Sequence, residues 1–391
     1  MNDSPLAGVR VLDLTRVLAG PYCTMMLADL GAEVVKIERP DVGDDARHFG
    51  PFLPSGESAY FASVNRGKKS VALDLKTAGD RETFLRLIDR ADVLVENFRP
   101  GTMDRLDLSS ETLRRRNPRL IYASATGFGR TGPDAERPAY DVIVQARSGL
   151  MSLTGHDETA PARVGTSISD ILTGMYTAFG IVAALLQRDR ANLGCDLDLS
   201  MLECTVATLE NAIARFSVTG ESPKPLGTRH PSIAPFQSFR AADGALVIAA
   251  GNETLWRKLC DVIEAPELGD DPLLATNRDR AANLEHLERQ LEARLARRTV
   301  DDWLARLDAA GVPASAICDL SRVAADPQLA ARGIWHTLVD ADAQATPLLT
   351  AGTPLVIDGA RPEVSVSWPR LGAHTAEVLE SWLGSDRKGE P

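Results

Sequence analysis

Cysteine is scarce in this chain of 391 residues, and its pattern excludes two kinds of site. The five cysteines are odd in number, far apart and never arranged as CxxC, which argues against a disulfide framework and against a cysteine zinc site. The six histidines are scattered too, and no HExxH occurs. We therefore predict no disulfide and no metal; the cysteines are Cys23, Cys195, Cys204, Cys260 and Cys318.

Long apolar runs and an export signal are also missing. No run of about 18 uncharged apolar residues occurs, so the sequence predicts no membrane-spanning helix. The longest candidate, 171–186, contains Thr173, Gly174 and Thr177 and is typical of a buried helix. The first residues lack the basic flank and apolar centre of a signal peptide. We therefore expect a cytoplasmic protein with no membrane partner.

Basic residues are too few overall for a typical nucleic-acid-binding protein. The net charge is −11, which argues against nucleic acid as a partner. Residues 61–119 depart from this balance, with 13 Lys or Arg against 9 Asp or Glu, a local charge of +4. A solvated, mixed-charge surface explains such a segment most simply, and an anionic small ligand is compatible with it.

Two common nucleotide and hydrolase motifs are absent, and a third is missing from its usual position. The turn after the first predicted strand, at 15–22, carries no GxGxxG, which disfavours a nicotinamide-dependent dehydrogenase. No GxxxxGK[ST] occurs, so a P-loop enzyme is disfavoured as well. GxSxG is also missing, and with it the usual serine nucleophile turn.

Short apolar runs alternate with helical patterns through the first 150 residues. This alternation, with short connections, predicts a doubly wound parallel α/β sheet. The length of the chain makes a second domain the natural expectation. The predicted strands are 9–14, 32–38, 70–75, 92–98 and 120–129, and the predicted helices are 22–31, 80–91 and 109–118.

The remaining sequence predicts a second, smaller α/β unit. Residues 191–218 indicate a strand and then one long helix, and 219–239, rich in Pro, Gly and Ser, indicate a linker or an ordered functional loop. Later elements are a strand at 245–251, helices at 255–263, 286–296 and 300–311, a short strand at 354–358 and a final helix at 375–384.

A carboxylate, Asp170, stands at the start of the long apolar helix pattern. Aspartate is a good helix N-cap, because its side-chain oxygen accepts a bond from a free N–H of the first turn. A helix start would also favour the ionised carboxylate and offer N–H groups to a developing oxyanion. Gly174, one turn later, would let a substrate or backbone approach closely. The isolated stretch leaves both roles open and favours the cap.

Eight stretches, in order along nearly the whole chain, carry a family resemblance: 8–40, 65–76, 92–106, 122–133, 139–155, 163–189, 311–333 and 371–380. Together they resemble the class III CoA-transferases, the family of formyl-CoA transferase and carnitine CoA-transferase. Among its subgroups the sequence looks most like enzymes that move CoA between small dicarboxylic acids, such as the succinyl-CoA:glutarate type.

The resemblance implies a fold and an assembly. It implies a Rossmann-like large domain built from both chain ends, with a smaller α/β domain inserted, and two such chains interlocked as a homodimer. On this basis the first part of the large domain is expected at 1–200, a linker at 201–225 and the small domain at 226–320. A return linker and the C-terminal part of the large domain are expected at 321–391.

The resemblance also implies the reaction. An aspartate attacks the donor thioester, giving an acyl-aspartyl anhydride and CoA thiolate, and the thiolate then forms an aspartyl-CoA thioester. The acceptor acid repeats the sequence in reverse. The residue that matches the family's nucleophile is Asp170. We expect CoA or acyl-CoA as substrate, a small carboxylic acid as the second substrate and no tightly bound cofactor.

The resemblance assigns a set of CoA contacts. Arg39 and Lys76 match residues at the nucleotide phosphates. Asn97, Phe98 and Arg105 match residues around the adenine and diphosphate. The CoA channel would be lined by Val17, Ala19 and Leu73.

Departures from the family pattern bear on the acid. Leu18 stands where the formyl/oxalate enzymes carry Gln, and their glycine run is absent, which disfavours formyl-CoA:oxalate transfer. Arg229 or His230, reaching the partner subunit's site, would pair with the distal carboxylate of a dicarboxylate. The remaining substrate-side positions are Tyr140, beside the nucleophile, and His48 and Phe49, at a family aromatic position.

Two other functions stay open. An α-methylacyl-CoA racemase shares the fold, but it needs a second acid–base group, and its family has His-Asp where this chain has Tyr140 followed by Asp. A tyrosine, with a normal pKa near 10, is a poor base at neutral pH. A catalytically dead CoA-binding protein is the other alternative.

Overall fold

The computed structural model describes residues 4–157, 159–339 and 348–384. Their contacts divide the chain into two compact units. The first unit takes the residues up to 151, residues 163–221 and those from 330 onward, so both ends of the chain contribute to it. The second unit takes 152–162 and 222–329.

These units differ in detail from the predicted domain bounds. Residues 152–162, expected within the large domain, group with the second unit, where Gly227 donates its N–H to the carbonyl of Gly155 at 2.9 Å. Most of the linker expected at 201–225 is helical and belongs to the first unit as far as residue 221. The second unit continues to 329 rather than 320.

Six parallel strands form the sheet of the first unit. They are β1 (Arg10–Asp13), β2 (Glu33–Glu38), β3 (Lys68–Ala72), β4 (Val93–Glu96), β5 (Ile121–Thr126) and β6 (Asp196–Ser200). Their order is β3-β2-β1-β4-β5-β6, which confirms the predicted doubly wound parallel sheet. The direction of winding reverses between β1 and β4, and ligands of open α/β sheets bind at such a reversal, outside the carboxyl ends of the strands.

Eleven α-helices of the described residues begin in this unit. They are α1 (Ala19–Asp29), α2 (Ala59–Asn65), α3 (Ala78–Ile88), α4 (Thr102–Arg105), α5 (Ser110–Arg116), α6 (Asp141–Arg147), α7 (Leu150–Leu153), α8 (Ile168–Ala191), α9 (Met201–Val206), α10 (Glu210–Thr219) and, after the second unit, α17 (Thr375–Leu383). A 3-10 turn occupies Asp45–His48.

Helices cover both faces of this sheet, because successive strand residues point to opposite sides. On one face Leu12 and Leu94 share a buried cluster with Phe84 of α3 and Trp382 of α17. On the other face Val11 belongs to a cluster that includes residues of α1 and α8. Near-continuous apolar strands of this kind are what the sequence pattern predicts.

The prediction of one long helix after β6 is wrong. The structure has two helices there, α9 and α10, separated at residues 207–209. Threonine side chains bond back to the preceding turn at the break. The Thr208 hydroxyl donates to the carbonyl of Thr205 at 2.7 Å, and the Thr205 hydroxyl donates to the carbonyl of Met201 at 2.8 Å. Such local bonds compete with helix continuation.

The strand predicted at 354–358 is also wrong. The antiparallel pair near this end of the chain is β10 (Trp335–Leu338) with β11 (Leu348–Ala351). Pro354 has no N–H for a ladder, and Ile357 makes only an isolated bridge to Ala360.

The second unit has an antiparallel sheet with helices packed on it. Its strands, in the order β7-β8-β9, are β7 (Phe236–Arg240), β8 (Ala245–Ala249) and β9 (Ala314–Ala316). One buried cluster, including Trp256 and Trp303, fills its core. The helices are α11 (Glu253–Val262), α12 (Asn277–Ala282), α13 (Leu284–Leu295), α14 (Val300–Ala309), α15 (Leu320–Ala324) and α16 (Pro327–Ala331), with a 3-10 turn at Pro266–Gly269.

Among the described residues, only α8 is long and apolar enough to cross a membrane by length and composition. It packs against α1 and β5 within the first unit. Its buried residues include Thr173, Gly174, Thr177 and Ile181. One face of α8 is thus buried as the sequence predicts, while Met175, Tyr176 and Phe179 are exposed in the single chain.

Candidate active site

A cavity opens at the carboxyl ends of β1 to β4, where the sheet topology predicts a ligand. We call it the strand-end cavity; it has a volume of about 220 Å³. Four of the eight expected CoA residues line it: Arg39, Leu73, Lys76 and Phe98. Arg16, which the sequence reasoning missed, lines it as well.

The other four expected CoA residues lie around this cavity without lining it. Arg105 donates to the hydroxyl of Thr102, a lining residue, at 3.0 Å. Val17 follows Arg16 in the turn after β1, and Ala19 begins α1. Asn97 uses both polar atoms of its side chain on the backbone of Arg16: it accepts from the N–H and donates to the carbonyl, both at 2.8 Å.

Cations at the rim of the strand-end cavity are paired with a single carboxylate. Asp45 contacts Arg16 at 3.0 Å and Arg39 at 3.4 Å. The Arg16 guanidinium also lies 5.2 Å from the ring centre of Phe98. All of these side chains are at least partly exposed, so an anionic ligand can compete with Asp45 for the two guanidinium groups.

A buried cluster of charges lies beneath the turn after β1. Lys68 contacts Asp13 at 3.0 Å, and Lys36 contacts Asp44 at 2.9 Å, with all four side chains fully shielded from solvent. Burial would raise the pKa of Asp13, but Lys36 and Lys68 outweigh it and hold that pKa below its usual range. Burial lowers the pKa of Lys68 to about 8.

Asp170 is the third residue of α8, not its N-cap. The cap position belongs to Ser167, and the predicted capping role of Asp170 is therefore wrong. Within the described part of the chain, no group hydrogen-bonds to the Asp170 carboxylate. The helix start is held instead from another element, because Asp141 of α6 accepts the Ser169 N–H at 2.9 Å. Asp141 also accepts from Gln145 at 2.7 Å.

The charge state of Asp170 also differs from the expectation. Burial, and after it the charge of Asp141, raise the pKa of Asp170 from 3.8 to about 7. A helix start is worth about 0.3–1 kcal/mol to a carboxylate, less than one pKa unit, so it cannot offset these two effects. The net shift of the Asp170 pKa is therefore upward, although the helix start itself favours the ionised form.

Gly174 has the role that its position suggests. A Cβ atom built at Gly174 would lie 2.6 Å from the carbonyl oxygen of Ala19, the first residue of α1. The absence of a side chain at Gly174 therefore lets α1 and α8 approach closely, one turn after Asp170. This confirms the close backbone approach predicted at Gly174.

A second cavity adjoins the start of α8. This helix-start cavity, of about 550 Å³, is lined by Ser167 and Ile171, which flank Asp170 along the chain, and by Leu18 and Tyr60. Asp170 itself is next to these lining residues and is not one of them. Burial and then the charge of Asp170 raise the pKa of Tyr60 to about 12. Tyr60 is a second residue that the sequence reasoning missed.

The remaining substrate-side positions fall into three places. Phe49 packs edge-on against Tyr60 with ring centres 5.9 Å apart, and His48 contacts the carbonyl of Val42 at 3.0 Å. Tyr140 is the residue before α6 and is 74% exposed.

Arg229 and His230 belong to the second unit. There the ring of His230 lies 5.3 Å from that of Phe236, and Arg229 contacts the carbonyl of Leu226 at 3.4 Å. Among the described residues, no cluster of His, Cys, Asp and Glu could hold a metal ion.

Comparisons with known proteins give one consistent result. The family model described as "CoA-transferase family III" matches residues 6–375. An acetyl-CoA:oxalate CoA-transferase of Acetobacter aceti is 47% identical over 98% of this chain and 97% of its own length. A succinate–glutarate CoA-transferase of Agrobacterium fabrum is 38% identical over 99% and 98%. The crystal structure of a CaiB/BaiF family protein from Brucella suis superposes with a TM-score of 0.87, at 39% identity, over 97% of this chain and 99% of that one.

Proposed function

Because this chain belongs to CoA-transferase family III, we propose that it moves CoA from an acyl-CoA to a small dicarboxylate through covalent intermediates on Asp170. Succinyl-CoA is the donor that we expect. The observation that carries the proposal is the state of Asp170: a half-buried carboxylate without a hydrogen-bond partner in the described chain, beside a second carboxylate and a cavity. Its lone pairs are free to attack.

The proposed reaction conserves the thioester in four steps. The Asp170 carboxylate attacks the donor thioester carbon and the C–S bond breaks. CoA thiolate is released, and an acyl-aspartyl anhydride is formed on Asp170. The thiolate then attacks the Asp170 carbonyl and releases the donor acid. The acceptor carboxylate attacks the resulting aspartyl-CoA thioester, giving a second anhydride and thiolate. Attack of the thiolate on the acceptor carbonyl yields the new acyl-CoA and restores Asp170.

The surroundings of Asp170 suit this sequence. Water would hydrolyse either anhydride, and a half-buried nucleophile limits its access. The strand-end cavity offers Arg16, Arg39 and Lys76 to the phosphates of CoA. Leu18 lines the helix-start cavity, while Arg16 of the same turn lines the strand-end cavity, so one extended ligand could pass from cations to nucleophile along that turn.

The relatives widen the panel of acids. Their names include oxalate as well as glutarate, and acetyl-CoA appears among the donors. We keep succinyl-CoA as the expected donor and a dicarboxylate as the expected acceptor, with oxalate included although Leu18 disfavours formyl-CoA:oxalate transfer. Arg229 or His230 of a partner subunit remains our candidate for reading the distal carboxylate.

A matrix of CoA donors against acids, read by mass spectrometry, tests the proposal. Wild-type protein should transfer CoA from succinyl-CoA to at least one dicarboxylate, and Asp170→Ala should transfer none. Hydroxylamine added during turnover should leave a hydroxamate on Asp170. Transfer to no dicarboxylate would overturn the substrate class, and α-deuteration of a 2-methylacyl-CoA in heavy water would point to a racemase instead.

We also infer a homodimer, in the cytoplasm. Apolar side chains on two helices of the first unit are exposed in the single chain: Met175, Tyr176 and Phe179 on α8 and Ile213 and Phe216 on α10. A partner chain would cover such surfaces. Light scattering should give twice the mass of one chain, and interlocked chains should stay dimeric on dilution.

A further inference from the structure

The turn after β1 contains a strained residue. Val17 has φ +68°, a left-handed conformation that a β-branched side chain rarely adopts. Such strain persists only where the surroundings enforce it, and it is concentrated at functional sites. Val17 lies between Arg16, which lines the strand-end cavity, and Leu18, which lines the helix-start cavity.

Side chains from several elements bond to the backbone of this turn. Asp44 accepts the Val17 N–H at 3.0 Å. Asn97 brackets Arg16 by bonding its N–H and its carbonyl. One residue earlier, Thr15 is held in the same way, with its N–H donated to Asp13 at 2.8 Å and its carbonyl bonded by Lys36 at 2.7 Å.

These bonds come from residues that lie in, or directly follow, three strands of the unit: β1, β2 and β4. Asp13 ends β1, Lys36 lies in β2, Asp44 precedes the 3-10 turn, and Asn97 follows β4. Asn97 therefore bridges β1 and β4, the two strands between which the sheet reverses direction. These bonds fix the backbone of the turn from Thr15 to the N–H of Val17, the residue with the strained conformation.

We propose that Asn97 is a positioning residue, which holds the turn at Val17 in its left-handed conformation so that a CoA thioester can cross it from the strand-end cavity to Asp170. The inference rests on the proposed function, because it assigns the crossing ligand as CoA. Asn97 acts through the backbone of Arg16, since both of its polar atoms are already bonded there. Its effect on CoA is therefore indirect.

A double-variant experiment separates positioning from direct contact. Asn97→Ala removes both bonds to Arg16 and should let the backbone of Val17 relax. The Kd for CoA, measured by calorimetry, should then rise tenfold or more, and the KM for succinyl-CoA should rise similarly. Adding Val17→Gly should recover at least threefold of that loss, because glycine adopts a positive φ without steric cost. Asn97→Asp, which keeps one bond, should fall between wild type and Asn97→Ala, and the pair Asn97→Asp with Val17→Gly gives the same comparison should Asn97→Ala fail to fold.

A matched control accounts for a loss of stability alone. Asn117 also bonds backbone: its amide donates to the carbonyls of Ile88 at 2.8 Å and Ala91 at 2.9 Å, and its side-chain oxygen accepts the Arg119 N–H at 3.1 Å. Asn117 lines neither cavity. Asn117→Ala should lower Tm and leave CoA binding within twofold. A double variant that binds no better than the Asn97 single variant, or an Asn97→Ala protein with unchanged CoA binding, would overturn the proposal. CoA binding is measured without turnover. A wild-type protein that binds CoA but transfers none would therefore contradict the proposed function and leave the role of Asn97 in CoA binding standing.

Discussion

Two aspartates of the first unit, Asp13 and Asp170, have opposite surroundings. Both oxygens of Asp13 are bonded, by Thr15, Thr24 and Lys68 at 2.5–3.0 Å, and its side chain is fully buried. Asp170 is half-buried, and its nearest charged influence is a like charge, Asp141. The pKa of Asp13 is lowered, whereas that of Asp170 is raised.

The contrast shows what distinguishes a structural carboxylate from a reactive one. Cations and hydrogen-bond donors offset the desolvation of the Asp13 carboxylate, and their bonds occupy its lone pairs. Among the residues that the structure describes, no cation or donor compensates the burial of Asp170, so its ionised form destabilises the folded state. The lone pairs of its carboxylate stay available for attack. Unpaired burial beside a cavity is a property of functional sites more than of cores.

The largest expected effects come from neutralising each aspartate in turn. Asp170→Asn should lower kcat at least about a thousandfold, because the nucleophile is lost. Since the folded-state pKa of Asp170 is raised, its ionisation destabilises the fold as pH rises from 3.8 to about 7, and at pH 8 the variant should have an equal or higher Tm. Activity assays and thermal melts at pH 8 measure both.

Asp13→Asn is the matched variant with the reverse outcome. It leaves Lys36 and Lys68 buried with one fewer counter-charge, which typically costs about 3–5 kcal/mol. Its Tm should fall sharply, while any protein that remains folded keeps its nucleophile. If Asp170→Asn lost stability and Asp13→Asn did not, the distinction between the two sites would be wrong.

The next effect concerns the pH dependence of the reaction. The ionised form of Asp170 is the nucleophile, so kcat/KM should rise with pH to a midpoint near 7 and fall about tenfold for each pH unit below it. Asp141→Asn removes the like charge but leaves the burial, so the midpoint should move to lower pH without reaching 3.8. Initial rates from pH 5 to 9 measure the shift.

Glu111→Gln is the control for this profile. It removes one negative charge from the exposed side of α5, and the midpoint should not move. An unchanged midpoint in Asp141→Asn, with Tm showing a folded protein, would mean that Asp141 serves α8 only as its capping acceptor for Ser169.

Local sequence patterns were enough for the sheet and not for the site. The strands predicted in the first 150 residues, such as 92–98, are short apolar runs between helical patterns, so five of the six strands followed from periodicity. The sixth, β6, lies in a stretch that the pattern assigned to the second unit. The end of a pattern is less informative: α8 starts two residues before Asp170, and α9 stops where threonines bond back to the helix. The pattern drew attention to Asp170 but favoured a cap, and only the family resemblance assigned it as the nucleophile.

The missed residues share a physical reason. Asp141 caps α8 from 28 positions away, and Tyr60 meets the field of Asp170 from α2. Asn97 was expected at the adenine, yet both polar atoms of its side chain bond to the backbone of Arg16, 81 positions earlier. The pairing of Asn97 with Arg16 depends on which strand ends meet at the reversal of the sheet, whereas Asp141 and Tyr60 act on α8 from other helices. No spacing within the sequence encodes these pairings, and a polar residue directly after a strand, as Asn97 after β4, is a signal for the first of them.

The smallest expected effect concerns Asp45. Its surroundings share one feature with each of the two aspartates: it is paired with cations, like Asp13, and it is not fully buried, like Asp170. It occupies Arg16 and Arg39, the cations that CoA phosphates would need, so Asp45→Asn should lower the KM for acyl-CoA about two- to fivefold at low salt. Asp41→Asn is the matched control, since it removes a charge from the same exposed loop at a positive φ that asparagine tolerates. A rise in KM for Asp45→Asn alone would instead show that Asp45 orients the two guanidinium groups for the ligand. Exposed pairing would then be as structural as the buried pairing of Asp13.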